Sequence, residues 1–343
     1  MRPGTDDVEL ETINVIDDHA VQPTFSIVMP SYNTERFIGD AILSVARQHY
    51  QPVELVIVDD GSTDETAAAV EAYQERFAVP ILLLRQRNQG AGAARNAGVA
   101  AAVGEWIVFL DSDDVLEPNA LAAFATPLHT FPDAQWIGGD FSVVDEDDRA
   151  EIIPSLADRQ KVRELLGEAF EDRRPLRLED SGPKFIRVSL TAVGALAVRR
   201  DFFCQAGGFD ESLRQAQDYH LWIRLAHLAP FHFVPEKVFR YRQRAGSKTN
   251  SGMPPRIGAR AAFHALCDDK CLGVDHDAIS ERLNEFYVTD SIYCARKGRF
   301  RSALRLFWQA RRYGRLRVRD FYVLAKALLK AVMYGAGRWQ SFN

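Results

Sequence analysis

Between residues 25 and 116 short β-rich apolar runs alternate with segments of helical periodicity, and this rhythm narrows the possible folds more than any other feature of the 343-residue chain. The apolar runs are "FSIVMP" (25–30), "ELVIVDD" (54–60), "PILLLRQ" (80–86) and "WIVFLDSDD" (106–114). Between them lie "ERFIGDAILSVARQ" (35–48), "DETAAAVEAYQERF" (64–77) and "GAARNAGVAAAV" (92–103). In the first of these, Phe37, Ile38, Ala41, Ile42 and Val45 recur at helical spacing, and Ser62 or Thr63 can cap the second. Strands alternating with helices argue for βαβ units and a mostly parallel sheet, an α/β fold.

The polar residues follow that rhythm. "PSYN" ends the first strand, "DDGSTD" the second and "DSDD" the fourth. Ligands of open α/β sheets bind at the carboxyl ends of strands, so three such ends predict one cleft. "DDGS" alone would serve as an ordinary β-turn. The fourth strand end poses the sharpest problem: Asp111, Asp113 and Asp114 crowd together beside the buried run Trp106–Leu110. Like charges this close need compensation. An all-oxygen set without His or Cys suits a hard cation, Mg²⁺ or Mn²⁺, completed by substrate phosphates. That reading puts a divalent cation on Asp113 with Asp111 or Asp114. The plain alternative is a solvated acidic loop stabilising the N-terminus of the helix that begins in "LEPNAL". "NQGAGAARNAGV" (88–99) offers close backbone approach and an arginine, Arg95, which either reaches a phosphate or ribose or sits on the surface.

After residue 130 the pattern loosens. "QWIGGDFSVVDED" reads as a strand pair or hairpin, and residues 158–170 as an amphipathic helix. Residues 192–226 read as strand, short helix, turn and a helix from about 216, and 231–242 as a strand. A Gly/Ser/Pro-rich break at 245–255 precedes a helical remainder. Domains are therefore expected as a polar tail (1–22), an α/β domain (23–245) and a basic helical region (246–343). Four cysteines fit free thiols in a reducing compartment, and Cys267 and Cys271 in "CDDKC" lack a second ligand pair for zinc. The acidic N-terminus has no signal-peptide core, and no apolar run is long enough to span a bilayer, so a cytoplasmic location is expected.

Four segments in order, "FSIVMPSYNTERFIGDAILSVARQ", "ELVIVDDGSTDET", "GAGAARNAGVAAAVGEWIVFLDSDD" and "GGFDESLRQAQDYHLWIRLA", resemble the family 2 glycosyltransferases. The resemblance covers about residues 24–245. It implies the GT-A fold, a Rossmann-like mostly parallel sheet, here with a C-terminal helical appendage. It also implies inverting transfer from a nucleotide-diphosphate sugar to a saccharide or lipid-linked acceptor. By resemblance, Pro30, Tyr32, Asp59 and Asp60 hold the base and ribose, often uracil. Asp111 and Asp113 match the D-x-D motif, with Asp113 the more direct metal ligand, and Asp218 matches the general base. Two positions depart from the pattern. Gln217 replaces the usual Glu beside Asp218, and Arg244 replaces a histidine in "YRQRAGSKT", so Arg244 would act on phosphate through its own charge.

Asp218 also makes sense locally, near the start of a helix whose Leu221, Trp222 and Leu225 face a core. A plain helix-terminal acid is the alternative, and His220 reads as a packed or surface histidine. A sugar nucleotidyltransferase would need a Gly-rich triphosphate loop after the first strand, where "PSYNTE" stands. A catalytically inactive sugar-nucleotide-binding module finds support only in Gln217.

The tail carries a different signal. From Arg296 onward, 13 Lys and Arg face one acid, Asp320, so this segment is +12 and the preceding residues −17 within a chain of net −5. Phe300, Leu304, Phe307 and Trp308 share a helical face among arginines, which suits peripheral membrane contact. Packing of those apolar residues as a helical appendage is the competing reading, and no nucleic-acid partner is expected.

Overall fold

The computed structural model describes residues 23–51, 54–74, 79–244, 254, 256–268 and 273–334. The expected tail (1–22), nearly all of the break at 245–255 and Cys271 lie outside them. The first half of the chain runs β1 (Phe25–Ser31), α1 (Ile38–Ala46), β2 (Glu54–Asp59), α2 (Thr66–Gln74), β3 (Ile81–Arg85), α3 (Ala91–Ala101) and β4 (Trp106–Phe109). Next come β5 (Val115–Leu116), α4 (Ala120–Ala125), β6 (Trp136–Val144), β7 (Glu151–Ile153), α5 (Gln160–Asp172), β8 (Leu176–Leu178) and α6 (Ser181–Arg187). Then follow β9 (Leu196–Arg199), α7 (Arg200–Gln205), α8 (Gln217–Leu228) and β10 (Phe231–Arg242). Four helices close the described chain: α9 (Ile257–Asp268), α10 (His276–Arg296), α11 (Phe300–Ala310) and α12 (Val318–Tyr334).

All ten strands join one sheet whose central order is β3-β2-β1-β4-β9-β6-β10-β5. The β3-β2-β1-β4 half is parallel throughout, as the alternation of strands and helices predicts. β9 then enters antiparallel to both β4 and β6, while β6 and β10 pair in parallel. Residues 136–144 form one nine-residue strand, with β7 as its antiparallel return, rather than two strands within that run. Every residue of β1 is buried, because helices cover both faces of the parallel half and the strand needs no polar alternation. In the sheet order β2, β1 and β4 are neighbours, so the three polar strand ends expected from sequence stand side by side.

Helix α3 lies hard on this half of the sheet. A Cβ at Gly98 would sit 2.4 Å from Val28 Cγ1 and 3.3 Å from Val58 Cγ2, so only glycine permits that approach. The C-terminal helices continue the same buried cluster through Phe263, Leu283, Phe286 and Phe307. Contact with the site side is direct: Phe263 of α9 meets Tyr219 of α8 with ring centroids 5.4 Å apart. At the start of α9, a Cβ on Gly258 would fall 2.5 Å from Gln215 Cβ, just before α8.

The packing of α3 yields a stability prediction. Gly98→Ala should gain about 1 kcal/mol of helix propensity but lose more to overpacking, because Val28 is β-branched and held in a central strand. A net destabilisation of roughly 1–2 kcal/mol is expected from those opposing effects, read as a lower denaturant midpoint at unchanged m-value. A midpoint at or above wild type would mean that α3 can lift from the sheet.

Candidate active site

The site is assembled from the three neighbouring strand ends, the N-terminal half of α3 and the first turn of α8. Near the end of β1 Pro30 is buried, and just after the strand Tyr32 is 47% exposed, free to present its ring to a flat ligand. Asn33, in the left-handed region at φ 52°, receives a hydrogen bond on Oδ1 from the Thr63 N–H at 2.8 Å and donates its own N–H to Ser62 Oγ at 3.0 Å. The β1 and β2 loops are thereby stitched together. A chain of buried hydroxyls extends the stitching to the fourth strand end: Ser31 Oγ and Thr34 Oγ1 are 3.0 Å apart, and Thr34 Oγ1 donates to Ser112 Oγ at 3.0 Å. Sequence reasoning missed these three residues, because uncharged hydroxyls in turns resemble ordinary turn chemistry.

At the second strand end both carboxylates are buried. Asp59 Oδ1 accepts the Ser62 N–H at 3.0 Å, and its Oδ2 lies 3.5 Å from Arg85 Nε. Asp60 accepts three bonds, from Gln86 Nε2 and the backbone N–H groups of Gln89 and Gly90, each at 2.8 Å. Its carboxylate holds the 86–90 loop in the place that starts α3 at Ala91. Asp60 thus shapes the site through that loop.

Arg95 is buried, which overturns the surface reading. It leaves α3 to place NH2 2.5 Å from Asp111 Oδ1, and its guanidinium packs 5.2 Å from the Phe209 ring centroid. On the other side, Arg244 Nε stands 2.7 Å from Asp113 Oδ2. Arg242 and Arg244 both pack on Phe37, at 5.2 and 5.4 Å from its centroid, so the end of β10 is fixed against the loop that leads into α1. Asp114 turns inward instead, accepting the Arg242 N–H at 2.8 Å, which leaves Asp111 as the other carboxylate whose charge acts on Asp113 at this strand end. Among the described residues no group of three or more His, Cys, Asp or Glu side chains could hold a metal ion by itself.

Asp218 lies in the first turn of α8 and shares its electrostatic surroundings with Arg95 and Asp111. Burial pushes its carboxyl above the ordinary carboxylate range and Asp111 adds to this, while the Tyr219 N–H and Arg95 hold the rise in check. Burial likewise raises Asp113, reinforced by the Asp111 charge and opposed by Arg244. Beside Asp218, Gln217 donates to the Leu213 carbonyl and packs where a Cβ on Gly92 would be 2.9 Å from its Nε2. It is a packing residue between α8 and α3. His220 is buried in the same helix, and Leu221, Trp222 and Leu225 are fully buried, as their spacing predicts. Asn96 ties α3 to the "GGF" turn, bonding both the carbonyl and the N–H of Phe209 at 2.9 Å.

With this geometry, similarity to known proteins can be weighed. Residues 26–177 match the family described as Glycosyl transferase family 2. An uncharacterized glycosyltransferase of Nostoc sp. is 39% identical over 124 residues, 36% of this chain and 38% of the relative, so the chain spans well under half of that protein's length. The poly(ribitol-phosphate) beta-N-acetylglucosaminyltransferase TarS of Staphylococcus aureus is 36% identical over 111 residues, 31% of this chain and 19% of that protein. The crystal structure of TarS 1–349 in complex with UDP-GlcNAc superposes with TM-score 0.60 at 18% identity, over 90% of this chain and 91% of the other. A mannosyltransferase of Pyrobaculum calidifontis, in complex with GDP-Man and Mn²⁺, superposes with TM-score 0.57 at 18% identity, over 93% and 84% of the two chains. These likenesses establish the GT-A-like fold with its C-terminal helices.

Asp114 supplies the test here. Burial, then the Asp113 and Asp111 charges, hold its carboxyl well above the ordinary range. Between the ordinary value and the raised one the unfolded chain has already released a proton that the folded chain keeps. Stability therefore falls as pH rises through that window. Asp114→Asn keeps an acceptor for the Arg242 N–H and removes the titration. The variant should match wild type near about pH 4 and become progressively more heat-stable than it toward about pH 8. Relative loss of stability with rising pH would instead mark Asp114 as an ionised partner of the arginines.

Proposed function

We propose that this chain, whose residues 26–177 belong to glycosyl transferase family 2, transfers a sugar with inversion from a nucleoside diphosphate donor, UDP-linked in our reading, to an acceptor hydroxyl. One observation carries the proposal: Asp218, with a raised pKa, lies in the same electrostatic cluster as Arg95 and the Asp111/Asp113 pair. A base and a diphosphate-binding group facing one cleft are what an inverting displacement requires. The acceptor is a saccharide or lipid-linked saccharide of cell-surface polysaccharide or glycoconjugate assembly. We place the enzyme in the cytoplasm, peripheral on the membrane face that carries such acceptors.

The donor set at the fourth strand end fits a hard divalent cation. Asp111 and Asp113 offer only oxygen, and two carboxylates suit Mn²⁺ or Mg²⁺ whose remaining positions are filled by phosphate and water. Such an ion, held by these two residues, would supply charge to neutralise the leaving diphosphate. The protein's own part is separate. Tyr32 offers a stacking surface for the base, while Asp59 and Asp60 shape the ribose end. Arg95 and Arg244 stand beside the two carboxylates and can pass their guanidinium charge to phosphate oxygens, where paired N–H groups are strong donors. Asp218 accepts the proton of the acceptor hydroxyl as that oxygen bonds to the anomeric carbon and the bond to the diphosphate breaks. Its raised pKa makes it a better base than a solvated carboxylate.

A sugar nucleotidyltransferase is disfavoured by the segment after β1, where Asn33 is cross-linked to the β2 loop and Thr34 to Thr66 at the start of α2. The inactive-module reading rested on Gln217, whose side chain is occupied in packing between α8 and α3.

Two variants divide the labour. Asp113→Asn should abolish most Mn²⁺-dependent UDP affinity in calorimetry; undiminished binding in excess chelator would overturn the cation reading. Asp218→Asn should bind UDP normally yet transfer about 10²–10⁴ times more slowly, with donor hydrolysis as the readout until an acceptor is found. In wild type the rate should climb with pH through a carboxyl titrating above the ordinary range, and this acid limb should vanish in the variant. Loss of UDP binding along with activity would instead make Asp218 a donor-site residue.

A further inference from the structure

The C-terminal helices bury one apolar face and leave a second one in water. On α11, Ala303, Phe307 and Ala310 are buried, and Phe307 meets Phe321 of α12 with centroids 4.9 Å apart. Phe300, Leu304 and Trp308 follow each other at four-residue steps on an adjoining face, and Trp308 is 53% exposed. The face expected from sequence is therefore divided: Phe307 packs and its three companions do not. Helix α12 is more unusual. Its inner face buries Leu324, Ala327 and Ala331. Its outer face carries the bulkier Tyr322, Leu329, Val332 and Met333, with Val332 70% exposed. Packing onto the body has used the smaller residues and left most of the larger ones outside, contrary to what burial of apolar area favours.

The charge around these stripes has one sign. On α11 exposed Arg301 and Arg305 border the Leu304–Trp308 stripe, and on α12 Arg319 and Lys326 border the Tyr322–Leu329 stripe. From Arg296 on, 13 basic residues face a single acid, whereas the rest of the chain is strongly acidic. Exposed apolar stripes flanked by Lys and Arg are the composition of interfacial helices, whose apolar side enters the headgroup boundary while cations meet anionic lipid. The opposite charge of the body would be repelled by that lipid, which fixes which end of the molecule approaches. Among the described residues no helix is long and apolar enough to cross a membrane, so the contact is one of lying on the surface.

The geometry points to the outer faces of α11 and α12 as a docking surface for an anionic bilayer, with Trp308, Tyr322, Leu329 and Val332 inserted and the neighbouring Arg and Lys on the headgroups. It deepens the membrane-face location of the glycosyltransferase reading and rests on that reading for purpose only.

Flotation of the full chain with vesicles tests it. The protein should float with phosphatidylcholine vesicles containing phosphatidylglycerol and stay behind with phosphatidylcholine alone. Raising salt from about 50 to 500 mM should release it, since screening shortens the reach of the cations. Trp308→Glu combined with Leu329→Glu changes exposed side chains only and should cut binding at least about tenfold, as both apolar insertion and local charge are lost. Arg301→Gln with Arg305→Gln should weaken binding while leaving the apolar stripe intact. Absence of flotation at low salt would overturn the proposal. So would vesicle binding unaffected by the Glu variants, or concentration-dependent self-association abolished by them, which would make the face a contact between copies of the chain. UDP binding with Mn²⁺, measured on the same proteins without vesicles, reports on the donor site separately, so a failed docking surface and a failed glycosyltransferase reading give different results.

Discussion

The rest of the site depends on how this chain tolerates three carboxylates within four residues at the end of a buried strand. Partial burial deprives Asp111 and Asp113 of water that would screen their repulsion, and opposite charge at short range is the available remedy. The remedy comes from two distant places. Arg95 reaches Asp111 from the second turn of α3, and Arg244 reaches Asp113 from just beyond β10. Asp114 takes another course, turning away to a backbone N–H. Each arrangement makes demands on the fold. Placing Arg95 requires α3 to begin where Asp60 pins the 86–90 loop, and to lie close enough that only glycine serves at position 98. Delivering Arg244 requires a twelve-residue strand running the depth of the sheet.

Much of this could be read from the chain itself. The β1–β4 rhythm was legible because buried parallel strands are uniformly apolar and their helices are amphipathic, signals that are local and redundant. The convergence of "PSYN", "DDGS" and "DSDD" followed from the alternation alone, since parallel strands share one carboxyl edge. The partners of the carboxylates were not legible. That Arg95 is buried on Asp111 depends on Phe209, more than a hundred residues downstream, forming the wall beside it. The hydroxyl chain of Ser31, Thr34 and Ser112 leaves no trace in periodicity or charge. β9 was legible as a strand, but its antiparallel insertion between β4 and β6 is a tertiary choice that its four residues do not encode locally.

Position 217 illustrates how a departure from a family pattern resolves in three dimensions. In a linear reading the amide subtracts a charge from the neighbourhood of Asp218. In the structure its side chain ties to the Leu213 carbonyl and wedges against α3 at Gly92. Removing a negative charge there also spares Asp218 one source of repulsion. Its pKa is then set mainly by burial, against the pull of Arg95.

The close approach of α9 to the chain before α8 has a consequence for how such proteins can be recombined. With 2.5 Å between an imagined Gly258 side chain and Gln215 Cβ, the helical region acts as a backstop to the turn that aims Asp218. Swapping the C-terminal region for one with any larger residue at that contact would re-aim the carboxylate without touching a ligand contact. A junction that separates Gln215 from Gly258 is therefore a poor place to cut and graft. Chimeras joined there would carry a mismatch beside α8 that displaces Asp218, whereas exchanges that keep Gln215 and Gly258 together would preserve the alignment.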